Sequence, residues 1–217
     1  MNIIDFLFSA YYEVPIWDIV LEVIAVVFGV ASVLFALRES IWVYPTGLVS
    51  TGIYVYLLSK VGLFGDMGIN AYYFAMSIYG WINWSRPRKD AVPLKITATS
   101  TREHLIGIGI FLPTFFSLVY ILSNYTSSTV PWIDGFTTSI FFVGMWYMAQ
   151  KKVVNWIYWI IGDLISIPLY FYKGLPASSL QFIFFTVMAV AGYFAWKRSL
   201  ASQLATDRQT EVHNIGS

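Results

Sequence analysis

The chain has 217 residues, of which 58% are hydrophobic and 12% are charged, and its mean hydropathy is +0.65. This composition excludes an ordinary soluble domain and predicts an all-α integral membrane protein. Cysteine is absent, only two histidines occur and the net charge is +1. The sequence therefore excludes thiol chemistry and a His-rich metal centre, predicts no cofactor and contains no basic block for nucleic acid.

Seven segments are predicted to be transmembrane helices because each is apolar over about the length that crosses a bilayer. The short N-terminal segment 1–16 precedes them and is expected to lie in the membrane interface. The polar tail 199–217 follows them and is expected to be disordered in the cytoplasm. In chain order, the seven predicted spans are residues 17–37, 41–58, 67–84, 104–122, 131–149, 153–172 and 177–196.

Basic residues are distributed unequally between the two sides that seven crossings define. One side holds only Lys60 and Lys173 of the 13 lysines and arginines, and the other side holds all the rest. The positive-inside rule therefore predicts that the N-terminus lies outside and the C-terminus in the cytoplasm.

An internal repeat is visible near the ends of the third and seventh spans. Residues Tyr72–Trp84 and Phe184–Trp196 align without gaps, with glycine matching glycine and tryptophan matching tryptophan at several positions. More loosely, IWVYPTGL from residue 41 resembles NWIYWIIG from residue 155. The repeat predicts a parallel 3+1+3 architecture. Its parts are a three-helix bundle at 17–84, a basic cytoplasmic loop with a linker helix at 85–130, and a second three-helix bundle at 131–198.

The sixth span combines an apolar helix with a polar stripe. Asn155, Trp159, Asp163, Ser166 and Tyr170 recur at helical spacing on one face. Such a stripe is costly in lipid, so it should face the interior of the bundle or a wet cavity. Asp163 is a candidate counter-charge for a substrate, a candidate proton site or a structural hydrogen-bond hub, and the same alternatives hold for Glu22.

Together with aromatic and amide groups on other spans, this stripe predicts a small-molecule pocket. The alternative for each residue is an interhelical hydrogen bond or a place in an interfacial aromatic belt. That alternative remains open for Trp156, which lies only one turn inside its span, and for the hydroxyl residues. The candidate substrate-binding residues are Trp159, Trp156, Asn155, Asn70, Tyr73, Ser77, Gln150, Gln181, Tyr44 and Asp163.

What the spans lack also limits the function. No lysine or arginine lies inside a predicted span, so a neutral or cationic substrate is favoured over a phosphorylated one. The sequence contains no nucleophile elbow and no phosphate-binding loop, and it therefore predicts no enzyme and no catalytic residues. A seven-helix photoreceptor is disfavoured because the seventh span has no lysine for a Schiff base.

Two long stretches carry a family resemblance, Trp42–Trp84 with its GD-x-G-x-N-x-Y-Y-F run and Asn155–Arg198 with W-x-x-W followed by G-D and I-P-L-Y. In these stretches the chain resembles the bacterial nicotinamide riboside transporters of the PnuC type. The resemblance implies a full-length SWEET-like fold in the bacterial inner membrane, a homotrimer, and facilitated diffusion of nicotinamide riboside coupled to a cytoplasmic kinase. Pro45 and Pro168 do not follow the proline pattern of the sugar-transporting relatives, so their gating hinges are not carried over.

Together, the residues and the resemblance give a hypothesis for the site. The pyridinium ring would stack near Trp159 and Trp156, while amide side chains bind its carboxamide and ribose groups. The phosphorylated nucleotide would be excluded because no cation meets its phosphate. Alternating access as a uniporter is expected, and the alternatives are a carrier of another nucleoside or vitamin and a seven-helix sensor.

Overall fold

The computed structural model describes residues 14–86, 94–126 and 128–215, which form seven α-helices and no strand. Residues 1–13 of the predicted interfacial segment and residues 87–93 of the predicted basic loop lie outside this part. The predicted helix bounds agree with the structure to within about one turn, except at the end of the last helix. The helices are α1 (Ile16–Leu37), α2 (Val43–Lys60), α3 (Phe64–Ser85), α4 (Thr101–Tyr125), α5 (Pro131–Ala149), α6 (Asn155–Tyr172) and α7 (Pro176–Ile215).

Among the described residues, three segments are by length and composition apolar enough to cross a membrane: α1, α4 and residues Ser178–Gln209 of α7. The remaining helices, α2, α3, α5 and α6, have 18 to 22 residues. Most of the buried polar side chains in the described part of the chain lie on these four helices, which also carry nearly all of the predicted pocket residues.

The last helix corrects the prediction of a disordered tail. Helix α7 continues through Ile215, and Leu200 on its extension packs against the buried core. Lys95, from the segment before α4, forms an ion pair with Asp207 at 2.7 Å. The polar composition that suggests disorder is also that of a solvent-exposed helix held by a few contacts.

Two groups of three helices pack in the same way. In the first, α2 lies between α1 and α3, and in the second, α6 lies between α5 and α7. The groups meet where α3 packs on α5 and where α1 packs on α7, while α4 packs on α5. Residues from both groups therefore share one buried core.

The turns that join these helices also recur. Glu39 after α1 and Lys151 after α5 have left-handed backbones, with φ of 55° and 56°, which costs a residue with a side chain about 1–3 kcal/mol. Gly62 and Gly174, after α2 and α6, have φ of 74° and 75°. Both pairs are separated by the number of positions that aligns Trp84 with Trp196, which we call the repeat offset.

This offset corrects one detail of the sequence comparison. The loose match placed Ile41 opposite Asn155 and Trp42 opposite Trp156. In the structure, Val43 and Asn155 are the first residues of α2 and α6, so Tyr44 is the residue that corresponds to Trp156. In the sequence comparison, similar residues two positions away from the true match hid the correct alignment of α2 with α6.

Candidate functional site

The polar stripe of α6 faces the interior of the protein, as its spacing predicts. Asn155, Asp163 and Ser166 are all buried, with Asn155 fully so. The Asn155 Nδ2 group donates a hydrogen bond to the carbonyl oxygen of Lys152 at 2.6 Å. This local bond fixes the amide group at the start of the helix. It leaves the amide oxygen, Oδ1, without a hydrogen-bond partner in the described part of the chain.

Several polar atoms of α6 are buried without a hydrogen-bond partner in the described part of the chain. They are Asn155 Oδ1, Trp156 Nε1, Trp159 Nε1 and Ser166 Oγ. An unsatisfied buried polar group costs about 1–3 kcal/mol, so four on one helix form an unusual concentration. The atoms of Asn155, Trp159 and Ser166 can donate to or accept from a bound polar molecule.

Aromatic rings from three other helices surround Trp159. Its ring stacks on Phe141 of α5 with centroids 5.4 Å apart and lies 6.3 Å from the ring of Tyr73 of α3. Phe141 in turn stacks on Phe182 of α7 at 6.2 Å. We call Tyr73, Phe141, Trp159 and Phe182 the Trp159 cluster. Asp163, one turn further along α6, is buried.

Sequence reasoning missed two members of this cluster, Phe141 and Phe182. Both lie in apolar runs of aromatic residues, where nothing distinguishes a ring that lines a site from one that faces lipid. Gly162 is a local indication that Phe141 packs against α6, because a Cβ at this position would collide with the Phe141 ring. The glycine next to Asp163 thus marks where α5 and α6 approach each other closely.

A second aromatic group, which we call the aromatic plug, contains two of the predicted pocket residues. Tyr44 and Trp156 are 0% and 1% exposed and pack with the rings of Trp84 and Trp196. Tyr44 and Trp156 lie at the starts of α2 and α6, Trp84 lies at the end of α3, and Trp196 lies midway along α7. Trp156 thus lies in a closed interhelical contact, one turn from Trp159.

The other predicted residues are spread over the two groups of helices. Ser77 of α3 is buried opposite Gly47 of α2. Gln150 donates a hydrogen bond to the Tyr79 hydroxyl at 2.5 Å, which links the end of α5 to α3. Asn70 donates to the carbonyl oxygen of Asp66 within α3, and Gln181 is exposed on α7.

One basic side chain is buried in the described part of the chain. Lys151 is 8% exposed, its Nζ lies 3.6 Å from Glu39 Oε2, and it stands 4.7 Å from the centre of the Trp84 ring. Burial lowers the pKa of Lys151, and the nearby Glu39 carboxylate opposes that shift. Lys151 is therefore already paired, and the Trp159 cluster has no described lysine or arginine within it.

Around Trp159 the structure thus combines aromatic faces, unpartnered amide and hydroxyl groups and a buried carboxyl. Aromatic faces and a carboxylate attract a cationic ring, and amide or hydroxyl groups orient its substituents. The described groove at the end of α3, lined by Trp81, Ile82, Ser85 and Arg86, contains none of the predicted site residues.

A family model described as nicotinamide mononucleotide transporter matches residues 19–198. The chain belongs to this family. It is therefore a membrane transporter and not an enzyme, as the sequence predicts.

Curated relatives extend the comparison over most of the chain. The nicotinamide riboside transporter PnuC of Escherichia coli is 24% identical over 204 residues, covering 82% of this chain and 85% of the relative. The riboflavin/roseoflavin transporter RibM of Streptomyces davaonensis is also 24% identical, over 186 residues, with coverages of 83% and 84%. One family thus includes relatives named for two different vitamins.

A solved structure confirms the fold. The crystal structure of the vitamin B3 transporter PnuC superposes with a TM-score of 0.66 at 23% identity, covering 90% of this chain and 86% of that one. The all-helical, multi-pass architecture of this family is therefore that of the present chain.

Proposed function

We propose that this protein carries nicotinamide riboside across the bacterial cytoplasmic membrane by facilitated diffusion. The proposal rests on one observation: α6 carries both Trp159, with its cluster of aromatic rings, and the unpartnered polar atoms of Asn155 and Ser166. The riboside offers a pyridinium cation, a carboxamide and ribose hydroxyls. Each of these finds a counterpart among aromatic faces, amide groups and hydroxyl groups, and the curated relatives named for this riboside support the assignment.

The transported molecule is the riboside and not its phosphorylated nucleotide, although the family description names the mononucleotide. A desolvated phosphate needs a cation or several backbone donors. The predicted spans contain no lysine or arginine in their interiors, and the buried Lys151 is paired with Glu39. A cytoplasmic kinase would then trap the riboside by adding the phosphate that this site rejects.

The proposed architecture has seven membrane crossings arranged as a parallel 3+1+3 repeat. The shared packing order of α1–α3 and α5–α7 and the turns that recur at the repeat offset support it. The unequal distribution of basic residues supports an external N-terminus and a cytoplasmic C-terminus. Such repeats rock against each other around a site near the midplane, and a homotrimer is the proposed assembly.

Riboflavin is the second candidate substrate, because RibM matches this chain as extensively as the riboside transporters do. The flavin ring is neutral and much larger than a pyridinium. A site selected for the flavin should therefore gain nothing from Asp163, whereas a site for the cationic riboside should.

The test is titration calorimetry on the detergent-purified protein with nicotinamide riboside, its mononucleotide and riboflavin. Wild-type protein should bind the riboside, and Trp159→Ala should weaken binding about five- to thirtyfold, since stacking and cation–π contacts contribute about 1–2 kcal/mol. Trp17→Ala is the matched control, because Trp17 is 75% exposed at the start of α1 and its loss should leave the affinity unchanged.

Binding of the mononucleotide as tightly as the riboside would contradict the proposed exclusion of phosphate. Binding of riboflavin alone would move the substrate to the second candidate. Equal losses in Trp159→Ala and Trp17→Ala would show that the site does not lie at the Trp159 cluster.

A further inference from the structure

The aromatic plug is built as two equivalent halves. The rings of Tyr44 and Trp84 lie 5.1 Å apart at an interplanar angle of 90°, and those of Trp156 and Trp196 lie 5.6 Å apart at 88°. The two pairs are related by the repeat offset. Each pair lies within one group of three helices, and the Trp84–Trp196 contact at 6.1 Å joins the groups.

Hydrogen bonds from the plug also cross between the groups, in both directions. Trp84 Nε1 of α3 donates to the carbonyl oxygen of Ala149, the last residue of α5, at 3.2 Å. Trp196 Nε1 of α7 donates to the carbonyl oxygen of Ala36, near the end of α1, at 2.9 Å. Each tryptophan thus binds the end of the first helix of the opposite group.

An ion pair closes the same end of the interface. Glu39 and Lys151, which correspond by the repeat offset, face each other with 3.6 Å between Oε2 and Nζ. The Lys151 ammonium also lies over the Trp84 ring. Both residues have a left-handed backbone, and both side chains lie at the junction of the two groups. Their charges are opposite.

The segment before α4 covers this end. Ile96 is 1% exposed and packs with the plug. Thr97 donates its amide to the carbonyl oxygen of Lys151 at 3.2 Å and accepts from the amide of Val153 at 3.3 Å. The connection between the two groups is therefore paired directly with the turn that carries Lys151.

We propose that the aromatic plug and the Glu39–Lys151 ion pair form the inner gate of this carrier, closed in the present structure. The inference rests on the proposed transport function and identifies which contacts must break during the cycle. The contacts of the plug and of the ion pair that cross between the groups are those of Trp84 with Trp196, Ala149 and Lys151, of Trp196 with Ala36 and of Glu39 with Lys151. They separate when the groups rock apart. The contacts within each group, such as Trp156 against Gly192, are kept.

Because the chain has no cysteine, the gate can be locked without a background reaction. The Glu39→Cys/Lys151→Cys protein, in liposomes, is treated with a bifunctional methanethiosulfonate that bridges the two thiols. Uptake of nicotinamide riboside should fall at least about tenfold on bridging and recover after reduction. The matched control is Asp18→Cys/Lys60→Cys, which replaces an ion pair between α1 and α2 within one group and should transport equally before and after bridging.

Undiminished uptake by the bridged Glu39→Cys/Lys151→Cys protein would overturn the proposal, since the gate would not need to open there. Equal inhibition of the control pair would overturn it as well, because inhibition would then not depend on joining the two groups.

A second measurement tests, without any substrate, whether the proposed gate opens. Spin labels at Arg38→Cys and Val154→Cys, which flank the ion pair on opposite groups, report the separation of the two turns by pulsed electron resonance. Adding Glu39→Gln should shift the distance distribution towards longer separations, and an unchanged distribution would overturn the proposal. If the protein neither binds nor moves the riboside, the proposed function fails, while these distances still show whether the gate opens.

Discussion

Glu39 and Lys151 occupy equivalent positions in the two groups of helices, share a left-handed backbone and form an ion pair with each other. A residue of each group thus meets its own counterpart where the groups join. Such a contact is expected on the axis of the proposed parallel repeat, and opposite charges at these positions make the contact favourable. Two like charges at this junction would repel.

The glycines beneath the plug should be intolerant of a side chain. A Cβ on Gly192 would lie 2.6 Å from the Trp156 ring, and one on Gly80 would meet the Tyr44 ring even more closely. Gly192→Ala and Gly80→Ala should each lower stability by about 1–3 kcal/mol through overpacking, seen as a lower apparent melting temperature in detergent. Gly109→Ala is the control, since nothing lies within 4 Å of a Cβ there, and it should not lower the melting temperature.

Asn155 should contribute to substrate affinity through its unpartnered oxygen. Asn155→Ala is expected to weaken riboside binding about tenfold, the effect of losing one hydrogen bond in a buried site. Asn124→Ala removes an amide that makes a similar bond to its own helix on an exposed surface and should leave binding unchanged. Calorimetry measures both affinities, and unaltered riboside affinity in a folded Asn155→Ala protein would remove this residue from the site.

Asp163 should discriminate a cationic from a neutral ring. Asp163→Asn is expected to weaken binding of the cationic riboside about tenfold while leaving the reduced, uncharged riboside nearly unaffected, because only the cation interacts with the carboxylate charge. Equal losses for both ligands would instead make Asp163 a structural hydrogen-bond hub.

Riboside transport should not be coupled to protons, which uptake into liposomes with and without a pH gradient can measure. As a uniporter, the protein should bring the riboside to equal concentrations inside and outside kinase-free liposomes, whether or not a pH gradient is imposed. Accumulation driven by the gradient and abolished in Asp163→Asn or Glu22→Gln would contradict facilitated diffusion and identify the proton site.

The sequence predicted the helices well because each is a long apolar segment bounded by polar turns. It predicted the inward face of α6 from the spacing of Asn155, Asp163 and Ser166 alone. It failed at the tail after residue 199, where low hydrophobicity describes an exposed helix as well as a disordered chain. Composition alone cannot distinguish an exposed helix from a disordered chain. The contacts that hold this helix, such as the Lys95–Asp207 ion pair, join residues far apart in sequence.

The aromatic residues show the same limit within the candidate site. Tyr44 and Trp156 were predicted to line the pocket and lie in the plug, whereas Phe141 and Phe182 were missed and lie beside Trp159. Every ring in an aromatic-rich span has similar apolar character, and only the packing of α3, α5 and α7 determines which rings meet. The sequence analysis did not pair the turn residues Glu39 and Lys151, whereas the structure places their charged groups 3.6 Å apart.

The most direct test of the proposed transport function is uptake of labelled nicotinamide riboside into kinase-free liposomes that contain the purified protein. The expected uptake is saturable, stops at equal concentrations, is weakened in Trp159→Ala and is not inhibited by the mononucleotide. Uptake no faster than in protein-free liposomes, from a preparation that remains folded, would contradict the proposed function.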